Sequence, residues 1–121
     1  MKTWMFLAAV NGALALLAGA FGAHGLKGRL PADLLGAFDT GARYHMSHAL
    51  AMGLAAFLAR GASEKPAKIA AGLFLLGILL FSGSLYLLAL TGEARFGWIT
   101  PLGGLTWIAG WVMLALAALK A

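Results

Sequence analysis

The chain has 121 residues, 62% of them hydrophobic and 11% charged, with a formal net charge of +5 and no cysteine. These proportions lie outside the range of water-soluble globular domains. The lack of cysteine excludes disulfides, thiolate metal ligands and thiol redox chemistry. The basic balance does not point to nucleic acid: Lys and Arg are scattered through short connections, as at membrane–water boundaries, and attraction to anionic lipid headgroups is the reading that fits.

Four stretches, about Thr3–Ala23, Tyr44–Leu58, Ile69–Leu90 and Pro101–Leu119, are apolar on every side rather than on one face. Such segments suit hydrocarbon, where about 20 residues at ~1.5 Å each cross a core about 30 Å thick. They predict one transmembrane domain over residues 1–121, with spans at about 3–23, 44–60, 68–91 and 101–119. Spans on that scale leave no room for a soluble catalytic domain.

Lys2, an apolar run and the A-x-A-like Ala18-Gly19-Ala20 fit a signal peptide. The run continues to Ala23, longer than a usual signal core, so it is read as the first transmembrane helix. Asn11 is its one interior polar side chain. Ala8 and Gly12, and Ala15, Gly19 and Ala23, recur at a spacing that lets helix backbones approach closely in lipid. Gly19, Gly22, Gly25 and Gly28 then recur every third residue and should loosen the helix end.

Leu30–Arg43 differs in character. Pro31 suits a first helical position and Asp33 a first turn. Leu34, Leu35, Phe38 and Ala42 fall on one side, and Asp33, Gly36, Thr40 and Arg43 on the other. This pattern predicts a short amphipathic helix lying in the interface between spans 1 and 2. The second span opens with Arg43, Tyr44, His45, Ser47 and His48, and a charged turn with Arg60, Glu64, Lys65, Pro66 and Lys68 follows it. The third contains Ser82, Gly83, Ser84 and Tyr86. Gly92, Glu93, Arg95 and Gly97 make a tight turn, after which Thr100 reads as an N-cap before Pro101 at N1. Trp4, Tyr44 and Trp98 lie at predicted boundaries, where amphipathic rings favour the headgroup level. The side holding both termini carries Lys2, Arg60, Lys65, Lys68 and Lys120, against Lys27, Arg29, Arg43 and Arg95 on the other. The positive-inside rule therefore leans towards cytoplasmic termini in a multi-pass protein of the cell's inner membrane.

The candidate site is a polar set at one membrane face. His24 ends helix 1, while His45 and His48, three apart, open helix 2. Imidazoles can ligate metal or haem, but no carboxylate partner stands in a span, and interhelical hydrogen bonding is the favoured reading. A cluster of His24, Arg43, Tyr44, His48, Ser82 and Ser84 is expected to tie helices 1, 2 and 3 together. A proton relay would need buried acids, and Asp33, Asp39, Glu64 and Glu93 all lie in connections. Lys27 and Arg29, after the Gly-rich stretch, are candidates for lipid headgroup contact; the G-x-x-x-x-G-K-[ST] nucleotide loop is absent. Arg43 lies one turn after Asp39, a boundary ion pair. Trp107 and Trp111, four apart, read as a packed stripe or a lipid-facing surface. Ser82 and Ser84 lack the G-x-S-x-G elbow, and serine in a membrane helix ordinarily bonds its own preceding carbonyl or a neighbouring helix.

Four blocks occur in order: Gly19-Ala20-Phe21-Gly22-Ala23-His24-Gly25-Leu26, Tyr44-His45-Met46-Ser47-His48-Ala49-Leu50, Phe81-Ser82-Gly83-Ser84-Leu85-Tyr86 and Ile99-Thr100-Pro101-Leu102-Gly103-Gly104. Together they resemble the YgdD-like family of small bacterial membrane proteins, the domain of unknown function 423, over nearly the whole chain. The resemblance implies an integral membrane protein with about four spans and no established activity. By position His24 and His48 match the family pattern. His45 departs from it, since glutamine or another polar residue is expected there.

The expected fold is thus all-α, a four-helix transmembrane bundle with an interfacial helix. The expected role is non-enzymatic, with no cofactor and no metal, through packing with membrane lipid, a second copy or a larger membrane-protein partner. The alternatives are a small-solute or ion carrier or channel, with a cavity lined by Asn11, His48, Ser82 and Ser84, and His-based metal or haem binding.

Overall fold

The computed structural model describes residues 2–121, and they are all-helical. Helix α1 covers Lys2–Ala20 and is prolonged by a π turn over Phe21–Gly25. Helix α2 covers Ala32–Leu58. A 3₁₀ turn over Gly61–Ser63 leads into α3, Glu64–Gly77, which runs through a π turn over Ile78–Ser82 into α4, Gly83–Thr91. A second 3₁₀ turn, Ala94–Trp98, precedes α5, Thr100–Lys120. Counting the α3–α4 rod as one element, the described residues make four helices. Three stretches, Lys2–Gly25, Gly61–Thr91 and Ala94–Lys120, are long and apolar enough to cross a membrane.

The turn chemistry explains the boundaries. The glycine series that should loosen the end of α1 falls on the π turn, and Gly28, with φ +84°, closes the connection to α2 in a left-handed conformation. Gly92, φ +73°, caps α4 by donating its N–H to the Leu88 carbonyl at 2.8 Å.

Two expectations are corrected. Residues 30–43 do not form a separate interfacial helix, because α2 runs unbroken from Ala32 through the predicted boundary at 42–44. Asp39 and Arg43, which looked like the end of a segment, bridge one helical turn at 2.6 Å and so support the helix across that point. Thr100 does not cap α5; Ile99 precedes the helix, and the Thr100 hydroxyl is used elsewhere.

Each helix packs antiparallel on the one before it, and α5 lies against α3 and the second π turn. The packing sorts residues by size. Much of the interior is alanine, with Ala55, Ala70, Ala71 and Ala117 at 0% exposure, while Phe6, Leu16 and Leu50 are about two-thirds exposed. Water would penalise that outward apolar surface; lipid does not. Small residues inside let the backbones close on one another. Gly103 shows the limit: a Cβ there would occupy the space of the Phe81 backbone nitrogen and Cα.

Candidate functional site

A polar seam follows the inward face of α2, the helix that contacts all the others. His45 lies thirteen residues inside α2, about 20 Å from its start at ~1.5 Å per residue. His45 and His48 are both buried. They share a face, and each is held from two sides.

His45 joins α1 to α4. Its Nε2 lies 3.0 Å from Asn11 Oδ1, and its Nδ1 lies 2.9 Å from the Tyr86 hydroxyl. Asn11 Nδ2 donates to the Leu7 carbonyl at 2.9 Å, which fixes the amide so that Oδ1 faces His45. A carbonyl-type oxygen only accepts, so His45 Nε2 carries the proton and Nδ1 accepts from the Tyr86 O–H. The hydrogen bonds therefore run in one direction: Tyr86 to His45, His45 to Asn11, Asn11 to the backbone of α1.

His48 joins α2 to α5. Its Nδ1 lies 2.8 Å from the Tyr44 carbonyl, which only accepts, and its Nε2 receives the indole N–H of Trp111 at 3.1 Å. These partners select the neutral ring with the proton on Nδ1. The ring stacks on Trp107 with centroids 3.7 Å apart and planes 1° from parallel. Trp107 in turn donates its indole N–H to the Phe74 carbonyl at 3.0 Å, one turn before the π turn. There the N–H of Ile78 is shared between the carbonyls of Phe74 and Leu75.

The serines complete the seam. Ser82, fully buried in the π turn, donates to the Gly41 carbonyl of α2 at 2.7 Å. Ser84 donates to its own preceding turn at Phe81, 2.8 Å, and meets the Thr100 hydroxyl of α5 at 2.6 Å. At the opposite end Ser63 donates to the Ala117 carbonyl at 2.8 Å. Among the described residues every buried side-chain nitrogen and oxygen has a partner.

Of the six residues expected to cluster, the structure brings Tyr44, His48, Ser82 and Ser84 into or beside the seam and leaves two outside. His24 is exposed in the π turn of α1 and makes no side-chain hydrogen bond among the described residues. Arg43 faces outward, with its side chain 78% exposed, and holds only Asp39. Tyr44 contributes its backbone carbonyl, while its half-exposed ring packs beside Phe81 and Trp107. Lys27 and Arg29 lie exposed in the connection between α1 and α2. The residue the sequence reading undervalued is His45, together with its partners Asn11 and Tyr86. Three-residue spacing to His48 and a lone Asn in an apolar helix were the available signals. Of Trp107 and Trp111, the first is buried in the packed interior and the second is 44% exposed at its edge. No three metal-type side chains converge among the described residues.

Residues 18–104 match a family described as a protein of unknown function, DUF423. The chain is 48% identical over 121 residues to the UPF0382 membrane protein YwdK of Bacillus subtilis, covering 99% of this chain and 98% of that protein. It is 42% identical over 120 residues to a UPF0382 membrane protein of Staphylococcus epidermidis, covering 99% and 98%. It is also 42% identical over 117 residues to a UPF0382 membrane protein of Haemophilus influenzae, covering 97% and 94%. No solved structure matches the chain.

Proposed function

We propose that this chain, which belongs to the DUF423 family of membrane proteins, is a four-span inner-membrane protein with a non-enzymatic role, acting through its apolar outer surface on lipid or on another membrane protein. One observation carries this reading: both ring nitrogens of His45 and of His48 are already committed to protein partners, with a single consistent proton direction. A metal-ligating imidazole needs a ring nitrogen not already taken by a proton or a donor, and a proton relay needs a titratable group at its far end. Here the chain of donors ends on the Leu7 backbone carbonyl, which takes no proton onward.

The fourth span rests on the placement of α2. It is 27 residues long, about 40 Å at ~1.5 Å per residue, and packs antiparallel between two helices of membrane-crossing length. A helix so placed ends at the same two levels as its neighbours. Its own composition hides this, because the Asp39–Arg43 pair and then His45, Ser47 and His48 interrupt its apolar run. Asp33 then stands at the headgroup level, His45 near the midplane, and the termini on the cytoplasmic side with the Arg60–Lys68 turn.

The absence of native cysteine makes the test direct. Single Ala32→Cys, Ala62→Cys and Ala94→Cys variants are labelled with a membrane-impermeant maleimide. The expected pattern is labelling of positions 32 and 94 in intact spheroplasts, and of 62 only after permeabilisation. Labelling of 32 and 62 from one side removes the fourth span. Elemental analysis of the purified protein addresses the seam: a stoichiometric metal lost in His45→Ala or His48→Ala overturns its structural role.

A further inference from the structure

One charged pair stands where the outer surface of the helices should meet lipid. Asp39 and Arg43 lie on the outward face of α2, their side chains 56% and 78% exposed. The packing of α1 on α2 gives their depth. A Cβ on Gly22 would touch Phe38, and one on Gly53 would touch Ala8. Interpolation between these two contacts sets Asp39 level with Phe21 and Arg43 level with Leu17. The apolar stretch of α1 ends at Ala23. The two residues are therefore rooted about 3 and 9 Å inside that end, at ~1.5 Å per residue. Among the described residues the other ion pairs, Glu64–Lys68 and Glu93–Arg95, lie at the start of α3 and in the connection before α5.

The pair cancels its own charge but leaves hydrogen-bonding capacity over. Arg43 Nε and Nη2 both donate to Asp39 Oδ2, at 3.2 and 2.6 Å, so Asp39 Oδ1 and Arg43 Nη1 have no partner among the described residues. Hydroxyls on the outer surface do close on their own helix: Ser47 donates to the Arg43 carbonyl at 3.1 Å, and Thr106 to the Leu102 carbonyl at 2.8 Å. A carboxylate oxygen and a guanidinium N–H left open in hydrocarbon need a donor and an acceptor at the same depth. A lipid phosphate would satisfy the guanidinium and repel the carboxylate. A second copy inserted the same way carries both groups at that depth, and a two-fold axis along the membrane normal brings each donor to the other's acceptor. The furrow between α1 and α2, beside the pair, has the length for a helix. Met5, Gly12 and Gly19 line it at seven-residue intervals, hence on one face of α1, over about 21 Å at ~1.5 Å per residue.

We propose that two copies of this chain form a parallel two-fold dimer through α2. Each α2 lies in the α1–α2 furrow of the other copy. Arg43 Nη1 of each donates to the partner's Asp39 Oδ1, which closes a ring of two carboxylates and two guanidiniums with alternating charge. The proposal names the partner of the outer surface and rests on the four-span reading above. The cysteine labelling reads sidedness one chain at a time, so failure of one is separable from failure of the other.

The test is Förster transfer between full-length chains labelled with donor or acceptor dye at Ala62→Cys and reconstituted in phosphatidylcholine vesicles. Chains otherwise unchanged should dimerise, and Asp39→Asn should weaken the dimer about tenfold, as for the loss of two symmetric interhelical hydrogen bonds. Asp39→Lys makes both positions cationic, and Arg43→Glu makes both anionic. Neither should pair with itself, and the two mixed should pair. A second measurement needs no charge change and decides the matter if the reversed chains fail to insert. Gly36, three residues before Asp39 on the same face, has open space around an added Cβ. In native membranes a short bismaleimide should link Gly36→Cys chains to one another, while Trp98→Cys, 78% exposed in the turn before α5, should stay unlinked. Monomers in the vesicles at every protein density overturn the proposal. So does pairing that ignores the charge reversals, or a mixture of folded reversed chains that stays unpaired. Gly36→Cys linked to a different polypeptide in place of its own copy also overturns it.

Discussion

The contact between the α3–α4 rod and α5 is built differently from the seam around α2. Along α5, Gly103 abuts the Phe81 backbone, Gly110 lies where a Cβ would come within 2.9 Å of the Phe74 ring, and Trp107 covers Gly77. Close approach dominates that contact and leaves no volume to spare, with the Trp107–Phe74 and Ser84–Thr100 hydrogen bonds beside it. Around α2 the helices meet through side chains whose hydrogen bonds have a fixed direction: Tyr86 to His45 to Asn11, and Trp111 to His48 to the Tyr44 carbonyl. The difference reflects the solvent. Hydrocarbon surrounds apolar side chains as comfortably as the protein interior does, so helices associate through close van der Waals contact or through polar groups that need partners. This protein relies mainly on the first device where α5 meets the α3–α4 rod, with two hydrogen bonds added there, and on the second around α2. The first should fail when volume is added, the second when hydrogen-bond direction is lost.

Gly103→Ala tests the first device and should have the largest effect. The obstacle is the Phe81 backbone rather than a mobile side-chain end, so α5 must move bodily. Overpacking of this kind costs about 3 kcal/mol. Gly12→Ala, on α1 with nothing within 4 Å, is the matched control and should leave the melting temperature unchanged. Thermal unfolding in detergent compares the two; equal effects would mean that close approach is not what holds α5.

His45→Ala tests the second device. It strips Asn11 Oδ1 of its donor and the Tyr86 hydroxyl of its acceptor, in a place with no water to replace them. The expected loss is about 1–2 kcal/mol, at the upper end for hydrogen bonds within membranes. His45→Gln keeps one donor and one acceptor, so it can reproduce the direction of the chain and should recover at least half of the loss. If alanine and glutamine are equally damaging, ring packing rather than hydrogen-bond direction makes His45 stabilising.

Much of the architecture could be read from hydropathy, because an all-round apolar segment has few alternatives to crossing lipid. The runs over α1, the α3–α4 rod and α5 are of this kind, and Gly92 marked its turn through the backbone conformation it alone adopts freely. The continuity of α2 could not be read. Asp39 and Arg43 break the apolar pattern without breaking the helix, since an i,i+4 pair satisfies itself on the helix surface. The site was half legible for a related reason. Composition shows which polar residues are in the helices but not how each helix is rotated about its axis. His24 and His45 lie near one another in topology. Thirteen residues of helix between Asn11 and His24, at ~100° each, turn His24 roughly to the opposite side of α1 from the amide that His45 meets. Ser82 and Ser84 behaved as serines in membrane helices do, one bonding a neighbouring helix and the other its own preceding turn as well as α5.

Trp111→Phe should show the smallest effect and probes direction from a residue that is only half buried. Trp111 is 44% exposed, and its ring packs edge-on against Phe74, a contact that phenylalanine retains in part. Losing the N–H to His48 Nε2 should cost about 0.5 kcal/mol. The Tyr44 carbonyl still requires a donor, and the stack on Trp107 is untouched, so His48 should keep its proton on Nδ1 while Nε2 becomes an open acceptor. Nitrogen NMR of labelled histidine would read this as an unchanged tautomer with a shifted Nε2 resonance. A switch of the proton to Nε2 would mean that Trp111, not the Tyr44 carbonyl, sets the direction, and that the α2–α5 half of the seam is held from α5.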